Sequence, residues 1–342
     1  MDGPKENRHL EFCPNELIVK IFKFLDTKDH LNLRFIKRFR KICIEFLDES
    51  VHNLRRNELS LEHLQIVLKK NCKYLNLSQS IVKDSDVTLT KASNLKYLNF
   101  NGCCVDDNVI KKLLSVCHLL EKLSIDYKSF SYNDIFDNIR SILSQNCNTL
   151  RVLNIRIFGI FDVQLCQLLG DCNQLTELNL NCTIYGVTID SLIAHLTPNL
   201  RKLCLSGDIT LHYVEKIVRK CNKLQVLAFK NSERIGIRSL EAIERHLKDT
   251  LKELDVSSAE SNLRDQWSFY PLAYMPKLKI LRCHRNFEVD LAKEFPRLIV
   301  TSSKVGLNVA NPNMPIGHES GLWEIYPDYQ FPTGYSYIVY LV

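Results

Sequence analysis

Residues 172–182 read CNQLTELNLNC, and the spacing of the leucines inside this stretch decides the fold. Leu175, Leu178 and Leu180 obey the pattern L-x-x-L-x-L. Side chains alternate along an extended strand, so Leu178 and Leu180 share one face while Glu177 and Asn179 take the other. Cys172 and Cys182 frame the run. Alone, such a pair is compatible with metal ligation, a disulfide, a nucleophile or simple packing.

The pattern recurs. It fits Leu95-Leu98-Phe100, Leu120-Leu123-Ile125, Leu150-Leu153-Ile155 and Leu200-Leu203-Leu205, then Leu224-Leu227-Phe229, Leu251-Leu254-Val256 and Leu278-Leu281-Cys283. Cys72-Leu75-Leu77 is an earlier copy with cysteine in first place. Successive copies start 23 to 30 residues apart, the longest gap holding an insertion near Asp126–Asp134. This is the period of leucine-rich repeats. Each copy carries a helix signal of its own. Asp106-Asp107 can cap a helix bearing Val109, Ile110, Leu113 and Leu114, and Ile189, Leu192, Ile193 and Leu196 repeat that spacing after Thr188. Val214, Ile217 and Val218 do so again, as do Leu240, Ile243 and Leu247. A strand–turn–helix unit of this size cannot bury its apolar face alone, so the units must stack. The expected fold class is α/β: a helical N-terminal segment, then a curved solenoid of nine or ten repeats with parallel strands inside and helices outside, then an extended tail.

The cysteines now have a place. Cys117, Cys147, Cys172 and Cys221 each stand three residues before the first leucine of a copy. A recurring position in a stacked array meets the same neighbour each time, and cysteine is small and apolar enough for a tight slot. No C-x-x-C occurs, and an odd total of 13 cysteines argues against a complete disulfide framework. The charged opening MDGPKENRHLEF has no apolar core of a signal peptide, and no run approaches the roughly 20 apolar residues of a membrane span. These features predict a nuclear or cytoplasmic protein with reduced thiols. A net charge of +6 does not mark a nucleic-acid binder. Catalytic signatures are missing: there is no H-E-x-x-H, no P-loop, no G-x-S-x-G and no G-x-G-x-x-G opening a helix. No cofactor, no metal and no catalytic residue is expected.

Residues 12–43 read FCPNELIVKIFKFLDTKDHLNLRFIKRFRKIC. Pro14 suits the first turn of a helix, and Glu16 sits near its positive end. Leu17, Ile18, Ile21, Phe22 and Leu25 form an apolar face. Asp26-Thr27-Lys28-Asp29 offers a turn, and Leu31, Leu33, Phe35, Ile36 and Phe39 follow. Two or three helices of this size are not self-sufficient and should pack on the repeats, on another protein, or on both. The run KRFRK, Lys37–Lys41, reads as a solvated helix face more readily than as a nuclear-import signal.

This segment resembles an F-box, whose pattern runs L-P-x-E-L-L, I-F-x-x-L and V-C-K-R-W. Pro14, Glu16, Leu17, Ile21, Phe22, Leu25, Leu31, Ile36 and the Lys37-Arg38 pair match it. Cys13 replaces the leucine before the proline, and Phe39 stands one residue early in place of the tryptophan. The C-x-x-L-x-x-L-x-L repeats resemble the cysteine-containing class often found behind an F-box. In the tail, Ile316-Gly317 and Leu322-Trp323-Glu324-Ile325 resemble the closing segment of the S-phase kinase-associated F-box protein family, whose tail folds back along the concave face. The expected division is therefore a disordered N-terminus (1–11), an F-box (12–50), repeats (51–300) and a tail (301–342) packing on the repeats.

The resemblance implies a substrate-recognition subunit of a Skp–cullin–F-box ubiquitin ligase. It would dock a Skp-type adaptor, and through it a cullin, by Pro14, Glu16, Leu17, Ile21, Phe22, Leu25, Leu31, Ile36 and Phe39. The residues between the repeat leucines would face a protein substrate. Candidates are Tyr97, Asn99, Asn154, Glu177 and Asn179, then Lys202, Glu253, Asp255 and Arg282, with Trp323 from the tail. By the same resemblance, substrates are phosphorylated cell-cycle regulators, assisted by a small cyclin-kinase subunit. Nucleic acid and membrane are not expected as partners. The alternative is a leucine-rich scaffold that binds proteins without a ligase role.

Overall fold

The computed structural model describes residues 14–22, 25, 29, 51–54, 58–69, 72–83, 94–105, 107–126, 135–160, 162–184, 186–259, 262–263 and 265–302. The chain forms two compact units, Met1–Asn199 and Leu200–Val342. In the first, strands β1 (Val51–Asn53), β3 (Tyr74–Asn76), β5 (Tyr97–Asn99), β7 (Lys122–Asp126), β8 (Val152–Ile160) and β9 (Glu177–Ile184) lie side by side in chain order. Each strand pairs with the next in parallel. In the second, β10 (Lys202–Gly207), β11 (Val226–Lys230), β12 (Glu253–Asp255), β13 (Ile280–Cys283) and β14 (Ile299–Ser302) do the same. Parallel neighbours in strict order are what a stack of strand–turn–helix repeats must produce. β1 adds a repeat ahead of the copy at Cys72, and β14 ends two residues beyond the expected boundary at 300.

The register repeats the sequence pattern. Leu75, Leu98, Leu123, Leu153 and Leu178 are paired rung to rung in the first unit, and Leu203, Leu227, Leu254, Leu281 and Val300 in the second. All of these leucines are buried. The helices are α1 (Asn15–Phe22), α2 (Leu61–Lys69), α3 (Asp107–Leu114), α4 (Ile135–Asn146), α5 (Val163–Asp171) and α6 (Gly186–His195) in the first unit, and α7 (Leu211–Lys220), α8 (Ile237–Leu247) and α9 (Glu288–Glu294) in the second. The helices present the residues that their 3.6-residue period selects: Val109, Ile110 and Leu113 on α3, Val214, Ile217 and Val218 on α7, and Leu240, Ile243 and Leu247 on α8 are all buried. Leu178 is fully buried. Leu178→Ala is expected to cost about 3 kcal/mol in equilibrium unfolding of the first unit; a change near zero would overturn the strand register.

Cysteine fills the slot between helix end and next strand by a repeated bond. The Cys117 thiol donates to the Leu113 carbonyl at 3.1 Å and the Cys172 thiol to Leu168 at 3.4 Å, four residues back in each case. The reading of Cys147 as a third member needs correction, because it is only half-buried. Asn146 takes the slot there and is almost fully buried. Its Nδ2 donates to the Ile142 carbonyl at 3.0 Å, again four residues back, and to the Cys117 carbonyl at 3.1 Å, while its Oδ1 accepts the Leu120 N–H at 2.8 Å. One amide thus joins two consecutive repeats.

Three further features were not foreseen. A second parallel sheet, β2 (Glu58–Ser60), β4 (Ile81–Lys83) and β6 (Cys104–Val105), belongs to the first unit. Its strands are two or three residues long and carry no readable alternation. In the second unit the repeat between β12 and β13 holds a 3-10 helix, Gln266–Tyr274, where its neighbours hold α-helix. Pro271 inside it lacks an N–H and disfavours α-geometry. Asp265 caps its start by accepting the Ser268 N–H at 2.9 Å, and the Arg297 guanidinium donates to the carbonyls of Leu272, Ala273 and Met275 at its end. Finally, α5 and α6 pack closely at Gly170, where a Cβ would lie 2.8 Å from the His195 ring. His195 is thus a packing residue.

Candidate adaptor and partner surfaces

Helix α1 is the first candidate surface. Pro14 stands just before it, and the Pro14 carbonyl accepts the Leu17 and Ile18 N–H groups, so the proline opens the helix from the cap position and not from within its first turn. The apolar residues divide between two sides. Ile18 is fully buried. Leu17 and Ile21 are 48% and 43% exposed, and Pro14 is exposed beside them. Leu25 is half-buried. Pro14, Leu17 and Ile21 therefore form an apolar strip that the folded chain leaves uncovered. The side chains of Glu16 and Phe22, and the whole of Leu31, Ile36 and Phe39, lie outside the described residues.

The strand faces opposite the buried leucines are the second candidate. In the first unit, pairing places Asn76, Asn99, Ser124, Asn154 and Asn179 in a single row, one residue per strand. A parallel row holds Tyr74, Tyr97, Lys122, Val152 and Glu177. The candidates Tyr97, Asn99, Asn154, Glu177 and Asn179 are thus brought together on one face. Asn154 Nδ2 donates to Ser124 Oγ at 2.9 Å, and Asn101 Nδ2 reaches the same hydroxyl at 3.3 Å. Asn76 and Asn99 turn their Oδ1 atoms to the N–H groups of Ser78 and Asn101, closing the turn that leaves each strand. Tyr74 and Asn76 escaped the sequence reading, although the copy at Cys72 carries them at the same repeat positions as Tyr97 and Asn99.

In the second unit the rows are Lys202, Val226, Glu253, Ile280 and Ile299, and Cys204, Ala228, Asp255, Arg282 and Thr301. Lys202, Glu253, Asp255 and Arg282 share this face, but the acids are not open to solvent: Glu253 is 9% and Asp255 3% exposed. Asp255 Oδ1 accepts from the Ser257 N–H and hydroxyl, so its carboxylate closes its own turn. Burial raises the Glu253 carboxyl above the usual range against the opposing pull of Arg282, Lys202 and Lys252. Glu253 Oε2, Arg282 Nε and Thr301 Oγ1 are buried without a hydrogen-bond partner. Trp323 lies outside the described residues.

The thiols do not form a site. Burial pushes Cys117, Cys172 and Cys221 up to about 12 from an ordinary 9.0. The thiolate is the nucleophile and the metal-binding form, so these thiols are inert near neutral pH. Among the described residues no cluster of three His, Cys, Asp or Glu side chains could hold a metal, and no helix is long and apolar enough to cross a membrane. Iodoacetamide at pH 8 is expected to label exposed Cys104 and to spare Cys117, Cys172 and Cys221 until the chain is denatured, as read by peptide mass spectrometry. The raised values also fix a sign. Unfolded thiols ionise near pH 9 while the folded ones stay protonated to about 12, so these groups stop favouring the fold as pH rises through that window. Denaturant midpoints should fall between pH 8 and pH 10.

Comparison with known proteins places both parts of the chain in known families. Residues 11–46 match the F-box domain, and residues 62–327 match a family described as the SKP2 LRR domain. Among solved structures, the chain is similar to one in the crystal structure of the Rad7 and Elc1 complex in yeast, with 15% identity, 83% of this chain and 85% of that chain covered, and a TM-score of 0.47. It is also similar to the leucine-rich repeat-containing protein LegL7 from Legionella pneumophila, with 13% identity, 68% and 84% covered, and a TM-score of 0.40. The repeat match takes in well over half of the chain, and with the F-box ahead of it the protein belongs to the SKP2-type leucine-rich-repeat family.

Proposed function

We propose that this protein is the substrate-recognition subunit of a Skp–cullin–F-box ubiquitin ligase. An F-box joined to SKP2-type repeats supports a receptor role in general terms. The single observation that carries the reading is the uncovered strip of Pro14, Leu17 and Ile21 on α1. Large apolar side chains at such exposure in a short, non-self-sufficient helix are what an adaptor interface requires. The repeats then hold a protein substrate on their strand faces. The protein breaks no bond itself; its contribution is proximity, holding a substrate lysine near ubiquitin activated on other subunits.

The expected packing of the tail on the repeats falls, beyond Ser302, outside the described residues. Phosphorylated cell-cycle regulators as substrates, a small cyclin-kinase subunit as accessory, and residence in nucleus or cytoplasm complete the reading by family resemblance. The test is quantitative proteomics after depletion of the protein. Proteins that accumulate should be ubiquitinated in a reconstituted ligase only when this chain is added. Accumulation of none, or a ubiquitin thioester on this chain's own cysteines, would contradict it.

A further inference from the structure

The row Asn76–Asn99–Ser124–Asn154–Asn179 has a property that a general partner face does not need. All five residues are uncharged, and four are primary amides, in a chain whose residues are one quarter charged. Their hydrogen-bond groups are only partly used. Asn76 and Asn99 spend their Oδ1 atoms on local turns, and neither Nδ2 has a partner among the described residues. Asn154 spends its Nδ2 on Ser124, and its Oδ1 has no partner among the described residues. Asn179 is 8% exposed and its Oδ1 is buried without any partner. An unsatisfied buried acceptor of this kind costs about 1–3 kcal/mol. The row thus offers donors at Asn76 and Asn99 and an acceptor at Asn154, with the buried Asn179 Oδ1 beneath the far end.

A primary amide carries one carbonyl and one NH₂, the same groups as a peptide bond. Parallel strands stand about 4.8 Å apart, so four gaps extend over about 19 Å, the length of about six residues of extended chain. We infer that this row of side-chain amides binds the main chain of an extended peptide segment laid across the strands. This rests on the proposed role of the strand face in holding a protein substrate and deepens it: the substrate class is a segment without secondary structure, whose own backbone groups are free to pair. The flanking row supplies sequence preference. Tyr74 and Tyr97, with ring centroids 6.1 Å apart, offer an apolar contact at one end, and Lys122 and Glu177 offer charges of opposite sign further along. A row free of charge is a poor match for the phosphates of a nucleic acid.

The experiment uses the full chain bound to a Skp-type adaptor and a soluble random dodecapeptide library. Peptides retained by the complex are remade with alternate backbone nitrogens methylated and, separately, with side chains scrambled. Methylation is expected to weaken binding by about tenfold or more, and scrambling by about threefold or less. Asn99→Asp keeps the acceptor for the Asn101 N–H and removes the amide donor, so the fold is retained while peptide binding drops by about tenfold. Asn76→Asp is built on the same logic at Ser78 and serves as the second variant. Unchanged thermal melting of either variant confirms that the loss is not unfolding. Retention of no peptide, equal binding of methylated peptides, full binding by both variants, or capture of a 12-nucleotide single strand that these variants abolish would each overturn the inference. An adaptor that binds while the peptide arm fails leaves the receptor reading standing. Peptide capture by a chain that binds no adaptor sinks the receptor reading and leaves this one.

Discussion

Replacing Leu17 and Ile21 together by aspartate is expected to lower the affinity for a Skp-type adaptor by about 100-fold or more, while the repeats melt as in the wild type. The two parts of that result have separate causes. Both side chains are nearly half exposed, so charges there meet water in the isolated protein and leave its core alone. In a complex the same charges would be buried against an apolar partner without a counter-ion, and each lost anchor of this type costs about 2 kcal/mol or more. Ile18 supplies the control. It is fully buried on the same helix, so Ile18→Asp should unfold the local packing as well as abolish docking. Adaptor affinity by titration calorimetry, set beside thermal melts of the three variants, separates the exposed strip from the buried side of α1.

The second large effect is expected at Asn146. Asn146→Leu keeps most of the volume but removes an amide that satisfies the Leu120 N–H and the Cys117 and Ile142 carbonyls. The Leu120 N–H and the Cys117 carbonyl lie in the preceding repeat, buried where water does not replace the lost partner. At about 1–3 kcal/mol for each orphaned group, the substitution should destabilise the first unit by about 4 kcal/mol. Cys172→Ala at the corresponding slot loses only a weak thiol bond and a sulfur atom, and about 1 kcal/mol is expected there. Equal losses at the two positions would show that the slot works by volume and not by bonding.

The contrast between these residues shows what was legible before the structure. Leu178, Leu203 and Leu254 were readable as core because a spacing that recurs every 23 to 30 residues fixes which side of each strand faces the helices. The partner-facing row was readable for the same reason, since Asn99, Asn154 and Asn179 fall between those leucines. Burial on that face was not readable. Glu253 shares its repeat position with exposed Lys122, and Asp255 shares its own with half-buried Asn99 and Asn154, so the local pattern does not fix burial. Asn146 was also hidden. Its position one residue before Cys147 breaks the repeated spacing, and only the bond back to Ile142 shows that the asparagine has taken the place of the cysteine. The 3-10 helix at Gln266–Tyr274 has a visible cause in Pro271, but its aromatic composition gives no helical period to follow.

The adaptor strip was located by motif resemblance and then divided by the structure. The apolar pattern treats Leu17, Ile18 and Ile21 alike, while the motif match names Leu17 and Ile21. Packing sends Ile18 inward and leaves Leu17 and Ile21 outside, so the residues proposed to dock a partner are those the fold itself does not use. The departures at Cys13 and Phe39 fall outside the described residues, and their effect is measurable in the same titration.

The most direct test of the receptor reading mixes the purified wild-type chain with a purified Skp-type adaptor and follows them by size-exclusion chromatography with light scattering. A one-to-one complex that holds at sub-micromolar concentration is the predicted result. Separate elution of the two proteins at tens of micromolar, with the repeats intact by circular dichroism, would contradict it.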